Sequence, residues 1–127
     1  MGLDITPNVP SGRQLIQSYG DGRFRISGEV AEGSVLIFTE SFQNWSVTSS
    51  EHVSMDALSA VLANADDIDI LLVGCGSTFA AIPKGLRAAL KDAGIILEWM
   101  DTGAACRTFN VLVAEERRVA AALIAVN

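Results

Sequence analysis

The sequence predicts a mixed α/β domain in three layers: an antiparallel β meander followed by β-α-β-α-β, with helices packed on a central mixed sheet. Three observations lead there. Short apolar-alternating runs broken by glycine turns open the chain, the middle switches to helical spacing, and the rest alternates continuous apolar runs with amphipathic ones. At 127 residues the chain can bury one core without metal or disulfide staples.

Residues 1–13 hold Gly2, Pro7, Pro10 and Gly12 and are expected to form an irregular arm, leaving 14–127 as a single globular domain. Leu15, Gln17 and Tyr19, then Phe24 and Ile26, then "SVLIF" follow β periodicity. With Gly20-Asp21-Gly22 and Glu32-Gly33 as turns, they give a meander of about three strands. Trp45 belongs to a further short strand or to a loop pinned by its indole. Met55, Leu58, Val61 and Leu62 then step at helical spacing, with Ser54 placed to cap a helix reaching to about Asn64. "DIDILLVGCG" reads as a buried strand. Pro83 suits the first position of a helix over "PKGLRAALKDAG", which Gly94 closes. "IILEWM" is the next strand and completes a βαβ unit, whose crossover is expected to be right-handed. Ala105, Phe109, Leu112 and Val113 mark the stripe of a last helix lying on the sheet, and "RRVAAALIAV" a final strand.

A formal net charge of −6 opposes docking on a phosphate backbone, so nucleic acid is not an expected partner. Lys84, Arg87 and Lys91 are spaced to share one helix face and read as solvated exterior. Two cysteines and a single histidine, His52, cannot supply a four-ligand zinc site, and no metal or cofactor is implied. A disulfide between Cys75 and Cys106 is not needed at this size, which makes a reducing, cytoplasmic setting the expectation. Redox sensing through the pair requires the two to approach within disulfide range. The first residues lack a secretory pattern, and the match of Gly2 and Thr6 to an N-myristoylation pattern is read as coincidence. No membrane span is expected: Val119 to Val126 is too short, and charges at 115–118 separate it from "FNVLVA". A homo-oligomer stays open.

"MDTGAACRTFN" contains Asp101-Thr102-Gly103, the triplet of an acid protease. A catalytic aspartate of that kind sits early in an all-β chain and meets its mate across a two-fold axis, whereas this one lies between a βαβ strand and a helix. The better reading is a helix N-cap, from Asp101 or Thr102. Arg107, Asn110 and Arg117 fall opposite the Phe109 and Leu112 stripe, as solvent exterior or as a surface inviting a carboxylate or phosphate near the first turn. Cys106 reads as a buried, inert thiol. "LLVGCGST" suggests a dinucleotide loop, but Phe79 stands where a third glycine belongs, the helix waits until Pro83, and Glu98 at a ribose position does not rescue it. The 74–77 and 101–102 corners follow strands of one parallel pair, so both are expected at the edge where open α/β sheets keep ligand crevices. His52 and Asp56, four apart, have no recognisable nucleophile, so His52 is read as surface.

"SYGDGRFRISG", "GSVLIF", Trp45, "DILLVGCG", Pro83 with "LRAAL", and above all "MDTGAACRTFNVLVAEERRVAAALI" resemble a family of small domains of unknown function. That family includes a mitochondrial respiratory complex I assembly factor, an adipogenesis-associated protein and many bacterial members, and the resemblance runs from about Leu15 to Val126. It implies a three-layer fold with a central mixed sheet, no established catalysis, and action through protein partners in assembling membrane-associated respiratory enzymes. Gly74-Cys75-Gly76 departs from the Gly-Thr-Gly of relatives, and Phe109 from their Tyr, which points to backbone geometry as the reason for the glycines. The expected function is a non-enzymatic interaction module with an unidentified protein partner. The alternative is a small-molecule site for an anionic ligand, with or without catalysis. For either, the candidate surface is Gly74, Gly76, Ser77, Asp101, Thr102, Cys106, Arg107 and Asn110, with no catalytic residue assigned.

Overall fold

Apolar residues alternating across consecutive strands place two hydrophobic clusters back to back, one on each face of a five-stranded sheet. The computed structural model describes residues 12–127. Its strands are β1 (Ile16–Gly20), β2 (Arg23–Ile26), β3 (Glu29–Glu32), β4 (Val35–Ile37), β5 (Phe42–Asn44), β6 (Ile70–Gly74), β7 (Ile96–Met100) and β8 (Val119–Leu123); its helices are α1 (Ser59–Ala63), α2 (Leu86–Asp92) and α3 (Thr102–Ala114). The irregular arm expected over 1–13 lies, apart from Gly12 and Arg13, outside the described residues, as do Gly2 and Thr6.

The large sheet has the order β5-β4-β8-β6-β7. β8 is antiparallel to β4 and parallel to β6, and β6 is parallel to β7, so the sheet is mixed as the sequence implies. From β6 the chain crosses through α2 to β7, then back through α3 to β8 on the other side of β6. Opposite crossing directions of one hand put α2 and α3 on opposite faces. Leu71, Val73, Leu97, Ala120 and Ala122 accordingly pack against Leu86 and Leu90 of α2, with Leu58 and Val61 from the α1 region. Ile70, Leu72, Ala121 and Leu123 pack against Ala105, Phe109 and Val113 of α3, and against Ile16, Phe24 and Ile26 of a second, three-stranded sheet ordered β1-β2-β3.

The meander differs from the sequence expectation. "SVLIF" is not its third strand; that place belongs to β3, within "GEVAEG", and β4 joins the large sheet instead. Burial explains the parting: all three residues of β4 are buried, as a strand covered on both faces requires, whereas β2 alternates. Both central helices are shorter than their periodicity suggests. Ser54 does cap a turn, its Oγ accepting the Ala57 N–H at 3.1 Å, but regular helix starts only at Ser59. The Trp45 indole N–H donates to the Ala57 carbonyl at 2.8 Å, so Trp45 is the indole-pinned loop. The second helix starts at Leu86 rather than Pro83, because Gly85 before it is left-handed at φ 81°. Its end is as expected: Ile95 N–H bonds the Leu90 carbonyl and Gly94 N–H that of Lys91, a Schellman motif with Gly94 at φ 85°.

Candidate functional site

The two glycine and aspartate corners do meet, and what joins them is Thr102. Its side chain is fully buried. The Oγ1 donates to the Ile124 carbonyl at 2.8 Å and accepts the Gly76 N–H at 3.1 Å, while Thr102 N–H donates to the Gly76 carbonyl at 2.9 Å. Ile124 N–H in turn reaches the Gly74 carbonyl at 3.0 Å. One hydroxyl therefore ties the chain leaving β6, β7 and β8 into a single corner.

Gly74 is required by that closeness: a Cβ there would stand 2.8 Å from the Thr102 Cα. Gly76 turns the chain out at φ 117°. Asp101 is the N-cap, with extended backbone and an Oδ1 accepting the Ala104 N–H at 3.2 Å, so the protease triplet starts a helix. Gly103 leaves room for the Tyr19 hydroxyl, which a side chain added there would push aside.

Asn110 is not on a free face. Its Oδ1 accepts the Ile16 N–H at 2.9 Å and its Nδ2 donates to the Ile16 carbonyl at 2.8 Å, clamping β1 onto α3. The helix face opposite the Phe109 stripe, read as solvent exterior or binding surface, is thus partly covered by the three-stranded sheet, which the spacing of Arg107 and Asn110 along one helix does not reveal; Arg117, expected on the same face, lies beyond the end of α3 at Ala114. Arg107 stays exposed, its nearest polar partner being the Tyr19 hydroxyl at 3.5 Å. Tyr19 reads in the sequence only as a strand residue, because its partners are far away along the chain and leave no local signal.

Cys106 is buried on the sheet-facing side of α3, and burial pushes its thiol from 9.0 up to about 12 despite the neighbouring Arg107 charge. Cys75 is buried on the opposite face of the sheet, and both cysteines are free. The sheet between them removes the intramolecular redox pairing. His52 is exposed and lies 3.9 Å from Glu51 rather than against Asp56.

A hollow of about 370 Å³ does open at the strand ends, where the sequence expects a crevice. Gly76, Ser77 and Thr78 line it together with Thr48, Ser49 and the last residues of the chain; nothing from 101–110 does. The eight candidate residues therefore do not form one pocket. Gly74, Asp101, Thr102, Cys106 and Asn110 face inward or hold the frame, Gly76 and Ser77 border the hollow, and Arg107 stands apart beside Tyr19.

Residues 16–124 match the family described as "Protein of unknown function (DUF498/DUF598)". The chain belongs to this family. Among its relatives is an uncharacterised protein of Rhodobacter capsulatus, 41% identical over 94% of this chain and 93% of that protein. Another, from Danio rerio, is named NADH dehydrogenase [ubiquinone] 1 alpha subcomplex assembly factor 3; it is 33% identical over 96% of this chain and 70% of its own length. A crystal structure described as an outer membrane protein from Bartonella henselae superposes with a TM-score of 0.84 at 39% identity, covering 94% of this chain and 100% of that one. The family and the mixed α/β fold thus agree with the resemblance. Among the described residues, no helix is long and apolar enough to cross a membrane.

Proposed function

We propose that the domain is a non-enzymatic interaction module that helps assemble a larger protein complex, acting through a protein partner. The observation that carries this reading is the engagement of the signature residues: Asp101, Thr102 and Asn110 each hydrogen-bond within the fold, and Cys106 is a buried thiol held far above the reactive range. A signature whose polar groups hold the frame suits a shape presented to another protein better than a reacting centre. The Danio rerio relative, named as an assembly factor, supports the same direction. Tagged protein captured from its native cells should return the same protein partner in repeated preparations. Recovery of the bait alone would overturn the reading.

One observation favours a second reading, binding of a small anionic ligand: Arg107 is exposed near the start of α3 and pairs with no carboxylate among the described residues. In that case Arg107→Ala abolishes thermal stabilisation by anionic metabolites while leaving the unliganded melting curve in place. A flat response of the wild-type domain across such a panel removes this alternative.

A further inference from the structure

Lys84, Arg87 and Lys91 do more than share a solvated face. They line an open hollow of about 490 Å³ with Ile82, Pro83, Gly85 and Ala88. Lys84 reaches it from the turn before α2, Arg87 and Lys91 from the helix itself. Ile82 packs on the core cluster beneath, so the floor is apolar and the rim is cationic.

Three features set this place apart from ordinary surface. The chain carries 15 acids against 9 lysines and arginines, and both of its lysines are here. Among the described residues none of the three cations forms an ion pair, although Asp92 and Glu98 are close in sequence. The third is rigidity. Arg87 is fixed by a 2.6 Å bond from Nη1 to the Leu97 carbonyl, and the loop entering the hollow is held by the Trp99 indole N–H on the Ala80 carbonyl at 2.7 Å. The same loop presents Phe79, 71% exposed.

We infer that this hollow is a docking site for an acidic segment of a partner protein, an apolar side chain entering over Ile82, Pro83 and Ala88 while carboxylates meet Lys84, Arg87 and Lys91. Charge complementarity chooses the occupant: an unpaired cationic rim on a chain of net charge −6 attracts anions locally and repels a second copy of the chain at long range. Three cations are fewer than the clusters that hold a protein on anionic lipid, typically about 4–8, which favours a peptide over a membrane. Arg87 also occupies the outward Leu97 carbonyl of the edge strand β7, so the segment seats on the α2 side instead of adding a strand.

The inference rests on the interaction-module reading and is tested separately from it. The probes are a fluorescein-labelled peptide of glutamates and leucines at amphipathic spacing, a lysine and leucine counterpart, and phosphatidylglycerol vesicles. The wild-type domain should bind the glutamate peptide alone, more weakly as salt rises. The double variant K84E/K91E, altering two exposed side chains, should bind about tenfold more weakly, and so should Ala88→Trp, which fills the hollow. Equal binding by K84E/K91E, preference for the lysine peptide, or binding to vesicles only overturns the proposal, as does wild-type self-association that K84E/K91E abolishes. If K84E/K91E keeps a partner captured by wild type from cells, this surface falls and the module reading stands; if wild type captures none, the module reading falls.

Discussion

The corner around Thr102 and the hollow beside α2 are built from opposite materials. At the corner, the Thr102 hydroxyl and the neighbouring backbone groups of Gly74, Gly76 and Ile124 are partnered within the chain. At the hollow, three full charges have no carboxylate partner among the described residues. The corner has the more conspicuous sequence, with an Asp-Thr-Gly triplet and a glycine pair, yet its chemistry is directed inward. The hollow has a plain basic stripe, yet among the described residues its charges meet no carboxylate, and only Arg87 is held, by one bond to a carbonyl that leaves its charge unneutralised. A polar residue can serve recognition where the fold leaves its charge or some of its hydrogen-bonding groups unpaired, and that is decided by its neighbours in space.

Substitutions separate the two regions by size of effect. Gly74→Ala should cost the most, about 3 kcal/mol in denaturant unfolding, because the added Cβ meets backbone that cannot yield. Thr102→Val keeps shape but strips the bonds to Ile124 and Gly76, for a loss of about 2 kcal/mol that Thr102→Ser should largely restore. Asn110→Ala releases β1 at about 1.5 kcal/mol or less in global stability, visible first as faster hydrogen exchange at β1 and β2 amides.

Cys106 gives the corner a pH signature. Its folded value is raised, so the neutral thiol stabilises the fold fully below the ordinary value of 9.0, and that stability is lost as pH climbs toward about 12. Wild type should therefore lose about 1 kcal/mol between pH 8 and pH 10 relative to Cys106→Ala, measured by denaturant midpoints. The hollow should show the smallest stability effect: K84E/K91E is expected to stay within about 0.5 kcal/mol of wild type. A large loss there would mean that the lysines support the fold, and the contrast between the two regions would collapse.

Much of this was legible in the chain. Continuous apolar runs marked β6 and β8 because strands covered on both faces leave no room for alternation. Asp101 was legible as a cap because capping is a bond within one helical turn. The pairing of β1 with α3 through Asn110 was not, since 94 residues separate Ile16 from Asn110 and no local pattern encodes that clamp. The Trp45 indole bond to the Ala57 carbonyl is likewise a contact from outside the local segment, and no helical periodicity announces it.

By itself, then, the sequence determined the β-α-β-α-β order of the second half, the Asp101 and Gly94 caps, and the family to which the chain belongs, all of which depend on periodicity, local bonds or pattern matching. Tertiary structure alone decided which sheet "SVLIF" joins, that the cysteines sit on opposite faces, and which polar groups remain free. Those outcomes depend on contacts between residues distant in sequence, and burial and hydrogen bonding act on whatever folding brings together.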